Sequence, residues 1–144
     1  MNTQPDLVAA LAPVAALLER LGVTWYIGGS VASTAHGLPR ATMDVDLVTN
    51  VRALQAPDFA RALAAEFYVD AKSICEAAGR RGSFNLIHFD TGMKVDVFVA
   101  KDTAYARSAA ARRVPHDFTH GSGALRVWLA SAEDTVLADR KSVV

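Results

Sequence analysis

Features that mark several large protein classes are scarce in this 144-residue sequence. Its single cysteine, Cys75, excludes a framework of internal disulfides and is typical of a reducing compartment. Fifteen basic and fifteen acidic side chains cancel, so no whole-molecule field attracts the protein to nucleic acid or to an anionic membrane. No apolar run approaches the roughly 20 residues that span a bilayer, and no secretory signal is recognisable. We therefore expect a cytoplasmic protein without a membrane partner.

The hydrophobic pattern that is present predicts an α/β fold, with helices packed on a mixed β-sheet in one domain. Leucine and valine recur at helical spacing after Asp6, and shorter runs rich in valine and isoleucine alternate as strands. The link Asp90-Thr91-Gly92 predicts a hairpin between two of these strands. The predicted helices cover Leu7–Leu21, Val31–His36, Ala56–Phe67, Ala71–Ala78 and Ala104–Arg113, and the predicted strands cover Val23–Ile27, Asp44–Thr49, Asn85–Phe89, Lys94–Val99 and Leu125–Leu129.

A glycine turn, Gly28-Gly29-Ser30, joins the first predicted strand to the second predicted helix. Glycine has no Cβ, so the backbone can approach a ligand closely, and the unpaired N–H groups at a helix start attract phosphate. The hydroxyl of Ser30 could add a donor at the same place. Most turns of this composition only connect two elements, so the turn alone does not establish a phosphate site.

A pair of carboxylates, Asp44 and Asp46, lies in the strand that follows this turn. Side chains two residues apart leave the same face of a strand, so the two carboxylates would point together. An isolated Asp-x-Asp is usually a solvated acidic face. The flanking Val45 and Leu47 indicate a half-buried strand instead, where two like charges are costly unless a cation lies between them. Magnesium is the expected cation, because it prefers carboxylate and phosphate oxygens.

A third carboxylate, Asp96, interrupts the apolar strand Lys94–Val99. Val95, Val97 and Val99 share one face of that strand, so Asp96 is placed on the other. Taken alone, such an aspartate could make a structural hydrogen bond to a neighbouring backbone group or arginine. The combination of a glycine turn, a carboxylate pair and this third carboxylate favours a functional site.

The segments GGSVAS, RATMDVDLV and KVDVFV resemble the nucleotidyltransferase fold of the DNA polymerase beta superfamily. The resemblance is greatest to bacterial AbiEii-type toxins and minimal nucleotidyltransferases, and it extends to the segment ASAEDTVLADR. It implies a single nucleotidyltransferase-like domain over residues 1–144, with its core at 23–99 and a C-terminal helical lobe that is short or missing. The site residues it implies are Gly28, Gly29 and Ser30 for the triphosphate, and Asp44, Asp46 and Asp96 for catalysis and for binding Mg²⁺ or, alternatively, Mn²⁺.

The resemblance also implies an activity and partners. The expected reaction transfers a nucleoside monophosphate from a nucleoside triphosphate to a hydroxyl group on a protein, an RNA such as tRNA, or a small molecule. Asp96 would draw the proton from that hydroxyl. Arg40 could contact phosphate oxygens, although a solvated loop arginine is the alternative. A toxin of this kind would also have a cognate antitoxin or another helical partner protein.

The sequence is compatible with two other functions. Relatives commonly carry a lysine near the position of Asp139, so the chain could be a catalytically silent module that binds a nucleotide or a partner protein. Alternatively, the aspartates could bind a metal only to stabilise the fold.

Several other polar residues have simpler explanations. His116 and His120 lie in a segment with Pro115 and Gly121 that predicts a loop, with no third metal ligand evident. Cys75 is interpreted as a small apolar residue of the core. Five arginines could form a local basic patch for a nucleic-acid acceptor, although solvated charge is the simpler explanation. They are Arg80, Arg81, Arg107, Arg112 and Arg113.

Overall fold

The computed structural model describes residues 5–35, 44–120 and 123–135 of the chain. Five helices and seven strands alternate along these segments. The helices are α1 (Pro5–Leu21), α2 (Gly29–Ala35), α3 (Ala56–Leu63), α4 (Ala71–Arg80) and α5 (Ala104–Ala111), and the strands are β1 (Trp25–Gly28), β2 (Asp44–Thr49), β3 (Phe67–Tyr68), β4 (Ser83–His88), β5 (Lys94–Val99), β6 (Val114–His120) and β7 (Gly123–Leu129).

The seven strands form one sheet in the order β3-β4-β5-β2-β1-β7-β6. β2 pairs with β5 in parallel and with β1 in antiparallel, and β1 pairs in parallel with β7. The predicted hairpin is confirmed, since β4 and β5 are antiparallel neighbours across Asp90-Thr91-Gly92. The sheet is therefore mixed, as the sequence predicts.

The two faces of the sheet differ in burial. Along β2, Val45, Leu47 and Thr49 are buried, whereas Asp44, Asp46 and Val48 are exposed or half-buried. The same alternation runs through β4 and β5, as expected for strands with one covered face. Helices α1, α3 and α4 pack together on the covered face and enclose the core. The opposite face, which we call the open face, carries the polar residues of β2 and β5. No helix in the described part of the chain is long and apolar enough to cross a membrane.

Two predicted elements differ from the structure. The predicted helix Ala56–Phe67 ends at Leu63, because Phe67 instead pairs with His88 as part of the edge strand β3. The predicted loop around His116 is wrong as well, since Val114–His120 forms the edge strand β6 against β7. An edge strand tolerates Pro115, because one side of it makes no ladder hydrogen bonds.

The interpretation of Cys75 as a core residue is also wrong. Cys75 lies on α4 and is exposed, while Ile74 and Ala77 form the buried stripe of that helix. The α4 sequence carries only a short apolar stripe, so the neighbouring thiol faces the solvent.

Candidate active site

The strand order brings the glycine turn and the three predicted carboxylates to one place on the open face. Gly28 at the end of β1 lies opposite Asp46 of β2, and Asp46 lies opposite Asp96 of β5. Asp44 leaves the same face two residues before Asp46. Asp96, which local pattern could place only on another strand, is therefore a neighbour of the carboxylate pair.

Gly29 is required at its position for two reasons. Its φ is +59°, in the left-handed region that residues with a side chain rarely adopt. A Cβ added to it would overlap the Oδ2 atom of Asp46 and would lie 2.9 Å from the Asp46 Cγ. The turn thus lies directly against the carboxylate, which a larger residue would displace.

Burial and like charge both act on the Asp46 carboxyl. Burial raises the pKa of the Asp46 carboxyl above its ordinary value, and the negative charges of Asp96 and Asp44 raise it further. Lys94 opposes this shift in the pKa of Asp46, but it does not outweigh the other causes. The group is therefore a carboxylate for which a bound cation would relieve a real energetic cost.

Two site residues were missed by the sequence reasoning. The Lys94 Nζ lies 3.7 Å from Oδ1 of Asp96, and Lys94 lies opposite Asp44 in the sheet. Asn85 of β4 lies opposite Asp96 on its other side. The position of Lys94 two residues before Asp96 is a signal that the sequence contains, because it places both side chains on one face. The sequence contains no comparable signal for Asn85, because its position beside Asp96 depends on how β4 and β5 pair.

The carboxylate pair Asp44 and Asp46 suits a divalent cation in its chemistry. In the described part of the chain, no group of three or more His, Cys, Asp or Glu side chains is arranged to hold a metal ion. Magnesium commonly binds through one or two carboxylates and completes its coordination with water and substrate phosphates. The pair Asp44 and Asp46, with its repulsion and its adjacent glycine turn, fits that mode of binding.

The remaining predicted site residues are described only in part. Ser30 belongs to the first turn of α2, directly after the two glycines. Arg40 lies outside the described residues, as does Asp139. The predicted contact of Arg40 with phosphate stays a prediction.

A second polar group ties α5 to the end of the described chain. Asp134 is buried and accepts two hydrogen bonds from the Arg112 guanidinium, at 3.0 and 2.8 Å, and one from the Ser131 hydroxyl. The hydrogen bonds from Arg112 hold the pKa of Asp134 below its ordinary value. Tyr26 of β1 lies near this group, and burial followed by the charge of Asp134 raises the pKa of its hydroxyl. Arg112 was predicted to be a solvated charge. It instead joins the end of α5 to the segment that contains Asp134.

Comparisons with solved structures identify the fold. Neither a protein-family model nor a curated protein sequence matches the chain. A protein of Thermotoga maritima that is provisionally called a nucleotidyltransferase superposes with a TM-score of 0.58 at 17% identity, over 99% of this chain and 87% of that one. The lincosamide antibiotic adenylyltransferase LnuA, bound to lincomycin, gives 0.50 at 14% identity, over 94% and 85% of the two chains.

A CCA-adding enzyme in complex with CTP gives a TM-score of 0.52 at 15% identity. The match covers 97% of this chain but only 32% of that larger enzyme. The chain thus has the nucleotidyltransferase fold, which confirms the fold predicted from its motifs.

Proposed function

We propose that this protein is a magnesium-dependent nucleotidyltransferase, which transfers a nucleoside monophosphate from a nucleoside triphosphate to a hydroxyl group. One observation carries the proposal: the glycine turn, Asp46 and Asp96 lie side by side on adjacent strands of a nucleotidyltransferase fold. The similar structures support it, since one is by name an adenylyltransferase and another is in complex with CTP. Their low sequence identity leaves the acceptor open.

The residues of the site take the following roles in this proposal. Gly28 and Gly29 let the triphosphate approach the backbone closely, and Ser30 donates its hydroxyl to a phosphate oxygen. Asp44, Asp46 and Asp96 hold Mg²⁺, or Mn²⁺ in its place. The bound ions supply charge neutralisation and polarise the phosphate oxygens. Arg40 contributes its guanidinium to the phosphates.

The reaction is an in-line displacement at the α-phosphorus. The acceptor oxygen forms the new bond to phosphorus, and the bond from phosphorus to the bridging oxygen of the leaving pyrophosphate breaks. Asp96 takes the proton of the acceptor hydroxyl. Because the Lys94 ammonium lies beside Asp96, it moderates the negative charge that this carboxylate presents to the incoming phosphates.

Only the resemblance of the motifs bears on the class of the acceptor. A protein, an RNA such as tRNA, or a small molecule each offers a suitable hydroxyl. The similarity of the motifs to AbiEii-type toxins supports a role as the toxin of a toxin–antitoxin pair, with a cognate antitoxin as its protein partner.

Label transfer tests the proposal directly. The purified chain is incubated with each α-³²P-labelled nucleoside triphosphate, Mg²⁺ and one of three acceptor pools: RNA, protein or small hydroxyl compounds. We expect label in one pool, and its loss in Asp44→Ala and in Asp96→Ala. Asp58→Ala is the matched control, because Asp58 is an exposed carboxylate on α3 paired only with Arg61 within the described residues. Transfer that persists in both site variants contradicts the assignment.

A binding module without turnover is the second candidate. The ion pair between Lys94 and Asp96 favours it, since an ammonium 3.7 Å from Oδ1 of Asp96 makes that carboxylate a weaker acceptor for the proton of a hydroxyl group. Calorimetry separates the two cases: this candidate predicts magnesium-dependent triphosphate binding with no pyrophosphate release in any acceptor pool.

A further inference from the structure

A cavity of about 690 Å³ lies beyond the carboxylates, at the other end of the same strands. The ends of β2 and β5 and one side of α5 line it, through residues such as Asn50, Val99 and Ala110. Asn50 follows Asp46 by four residues, which corresponds to about 13 Å along an extended strand. The cavity is therefore separate from the place where the glycine turn meets the carboxylates. We call it the cationic cavity, because its lining includes Arg52, Arg81, Lys101, Arg107 and Arg113.

The charge of this cavity is uneven for a protein without net charge. Asp102 is the one carboxylate among the described residues of its lining, so the five cationic side chains there leave an excess of four positive charges. That carboxylate is already engaged, since Oδ1 of Asp102 lies 2.8 Å from Nη1 of Arg107. The cavity thus concentrates positive charge that the rest of the molecule balances elsewhere.

Among the described residues, the remaining cations of the cavity have no carboxylate partner. Arg81 donates to the Ala100 carbonyl at 2.9 Å, and Lys101 donates to the Arg81 carbonyl at 3.0 Å, so neither charge is compensated by these bonds. The Arg52 side chain is exposed and forms no ion pair with another described residue. An anion bound here would meet Arg81 and Lys101, whose side chains are held by these bonds, and the exposed cation of Arg52.

Arg113 is a further cation of the cavity, and not all of its hydrogen-bond donors are paired. Its guanidinium lies over the Trp128 ring at 4.2 Å, and Nη1 donates to the Ala110 carbonyl. Its Nε is buried and has no hydrogen-bond partner among the described residues. A buried donor without an acceptor is costly, so the protein groups around this cation do not satisfy it fully.

The rest of the lining is mostly apolar, with Thr24, Thr49 and Asn50 as its uncharged polar residues. Tyr26, Val48 and Val51 contribute to it, together with several alanines. A ligand that fits this cavity therefore combines an anionic group with a flat or weakly polar body. The volume of the cavity is in the range that holds a small organic ligand. One guanidinium group can donate two parallel hydrogen bonds to the oxygens of a phosphate.

We propose that the cationic cavity binds a phosphate-bearing nucleotide, at a site distinct from the carboxylates and independent of any transfer reaction. The phosphate lies among the side chains of Arg52, Arg81 and Lys101, and the base lies against Tyr26 and the valines. The same chemistry is offered by a free mononucleotide and by the terminal nucleotide of a single-stranded nucleic acid.

Calorimetry on the full chain in EDTA tests this site while magnesium-dependent binding is suppressed. The probes are adenosine 5′-monophosphate, adenosine and a single-stranded RNA hexamer that carries a 5′-phosphate. We expect saturable binding of the monophosphate and at least tenfold weaker binding of adenosine. A hexamer that binds more tightly than the monophosphate identifies a nucleic-acid end as the source, whereas equal or weaker binding identifies the free nucleotide. Absence of saturable binding by both phosphate-bearing probes, or equal binding of adenosine, overturns the proposal.

Paired variants locate the site. The double change Arg52→Gln with Lys101→Gln removes two exposed charges and should weaken binding of the monophosphate at least tenfold, with a shallower dependence on salt. Arg61→Gln with Arg126→Gln removes two exposed arginines outside the cavity and should leave the affinity unchanged. Arg107→Gln is a third variant, which also weakens binding. Equal losses in the control and in the cavity variant would show non-specific attraction and would refute the site.

Discussion

The close contact between Gly29 and Asp46 makes Gly29→Ala the most informative substitution in this protein. The new methyl group would meet the Asp46 carboxylate, which must move away from its position opposite Asp96. A rotation of Asp46 can move its Oδ2 and Cγ away, but its Cβ, 3.1 Å from the added Cβ, stays close. The substitution is therefore expected to disturb the site and to cost some stability as well.

Two separate effects contribute to the expected magnitude. The left-handed backbone at Gly29 costs a residue with a Cβ about 1–2 kcal/mol of stability. Gly22→Ala is the matched control, because Gly22 has a φ of +71° and no atom within 4 Å of the added Cβ. Both variants should lose this backbone contribution, and only Gly29→Ala should also move a carboxylate.

Urea unfolding and magnesium titration in the presence of a non-hydrolysable triphosphate measure the two effects separately. We expect a loss of unfolding free energy in both variants, larger in Gly29→Ala because of the contact with Asp46, and a loss of at least about tenfold in triphosphate affinity, or about 1.4 kcal/mol, in Gly29→Ala alone. If Gly29→Ala binds the triphosphate as the unsubstituted protein does, the glycine turn is not part of the site. If Gly22→Ala loses affinity equally, the effect comes from stability and not from the position of Asp46.

Two further predictions follow from the pKa shifts. Because the pKa of Asp46 is raised on folding, the contribution of Asp46 to the stability of the metal-free protein should fall as the pH rises above about 4, so Asp46→Asn should be more stable than the unsubstituted protein at pH 7 in EDTA and gain less at pH 4. Thermal unfolding followed by circular dichroism between pH 4 and pH 8 measures this, and a lower melting temperature for Asp46→Asn at pH 7 would contradict it. The pKa of Asp134 is lowered, chiefly by its hydrogen bonds from Arg112, so this pair stabilises the fold at neutral pH and ceases to do so as the pH falls below about 4. Arg112→Met should lower the melting temperature by about 5 °C at pH 7, with a smaller difference at pH 3, whereas Arg126→Met, which breaks an exposed pair with Asp117, should have little effect.

Local sequence pattern was sufficient for the parts of the site that lie within one element. The period of two in a strand places Asp44 with Asp46 on one face, and the apolar residues between them show which face is covered. The glycine turn follows from composition, because Gly29 adopts a positive φ that other residues avoid. The hairpin between β4 and β5 follows from its Asp-Thr-Gly link in the same way.

Errors arose where long-range contacts overrode local preference. The helical pattern after Ala56 continues beyond Leu63 in the sequence. Phe67 nevertheless pairs with His88 in the sheet and is part of a strand. The segment around Pro115 has the composition of a loop, yet pairing with β7 makes it a strand. In both cases hydrogen bonds to a distant segment decided the conformation.

The amino-acid sequence alone determines which residues of this protein can do chemistry and which face of its own strand each occupies, because both depend on the residue type and on the geometry of a few neighbouring peptide units. Only the tertiary structure places β5 beside β2, so that Asp96 and Lys94 join the carboxylate pair, and gathers Arg52, Arg81 and Lys101 around one cavity. Strand order depends on how the whole chain buries its apolar face, and that free energy belongs to no single segment.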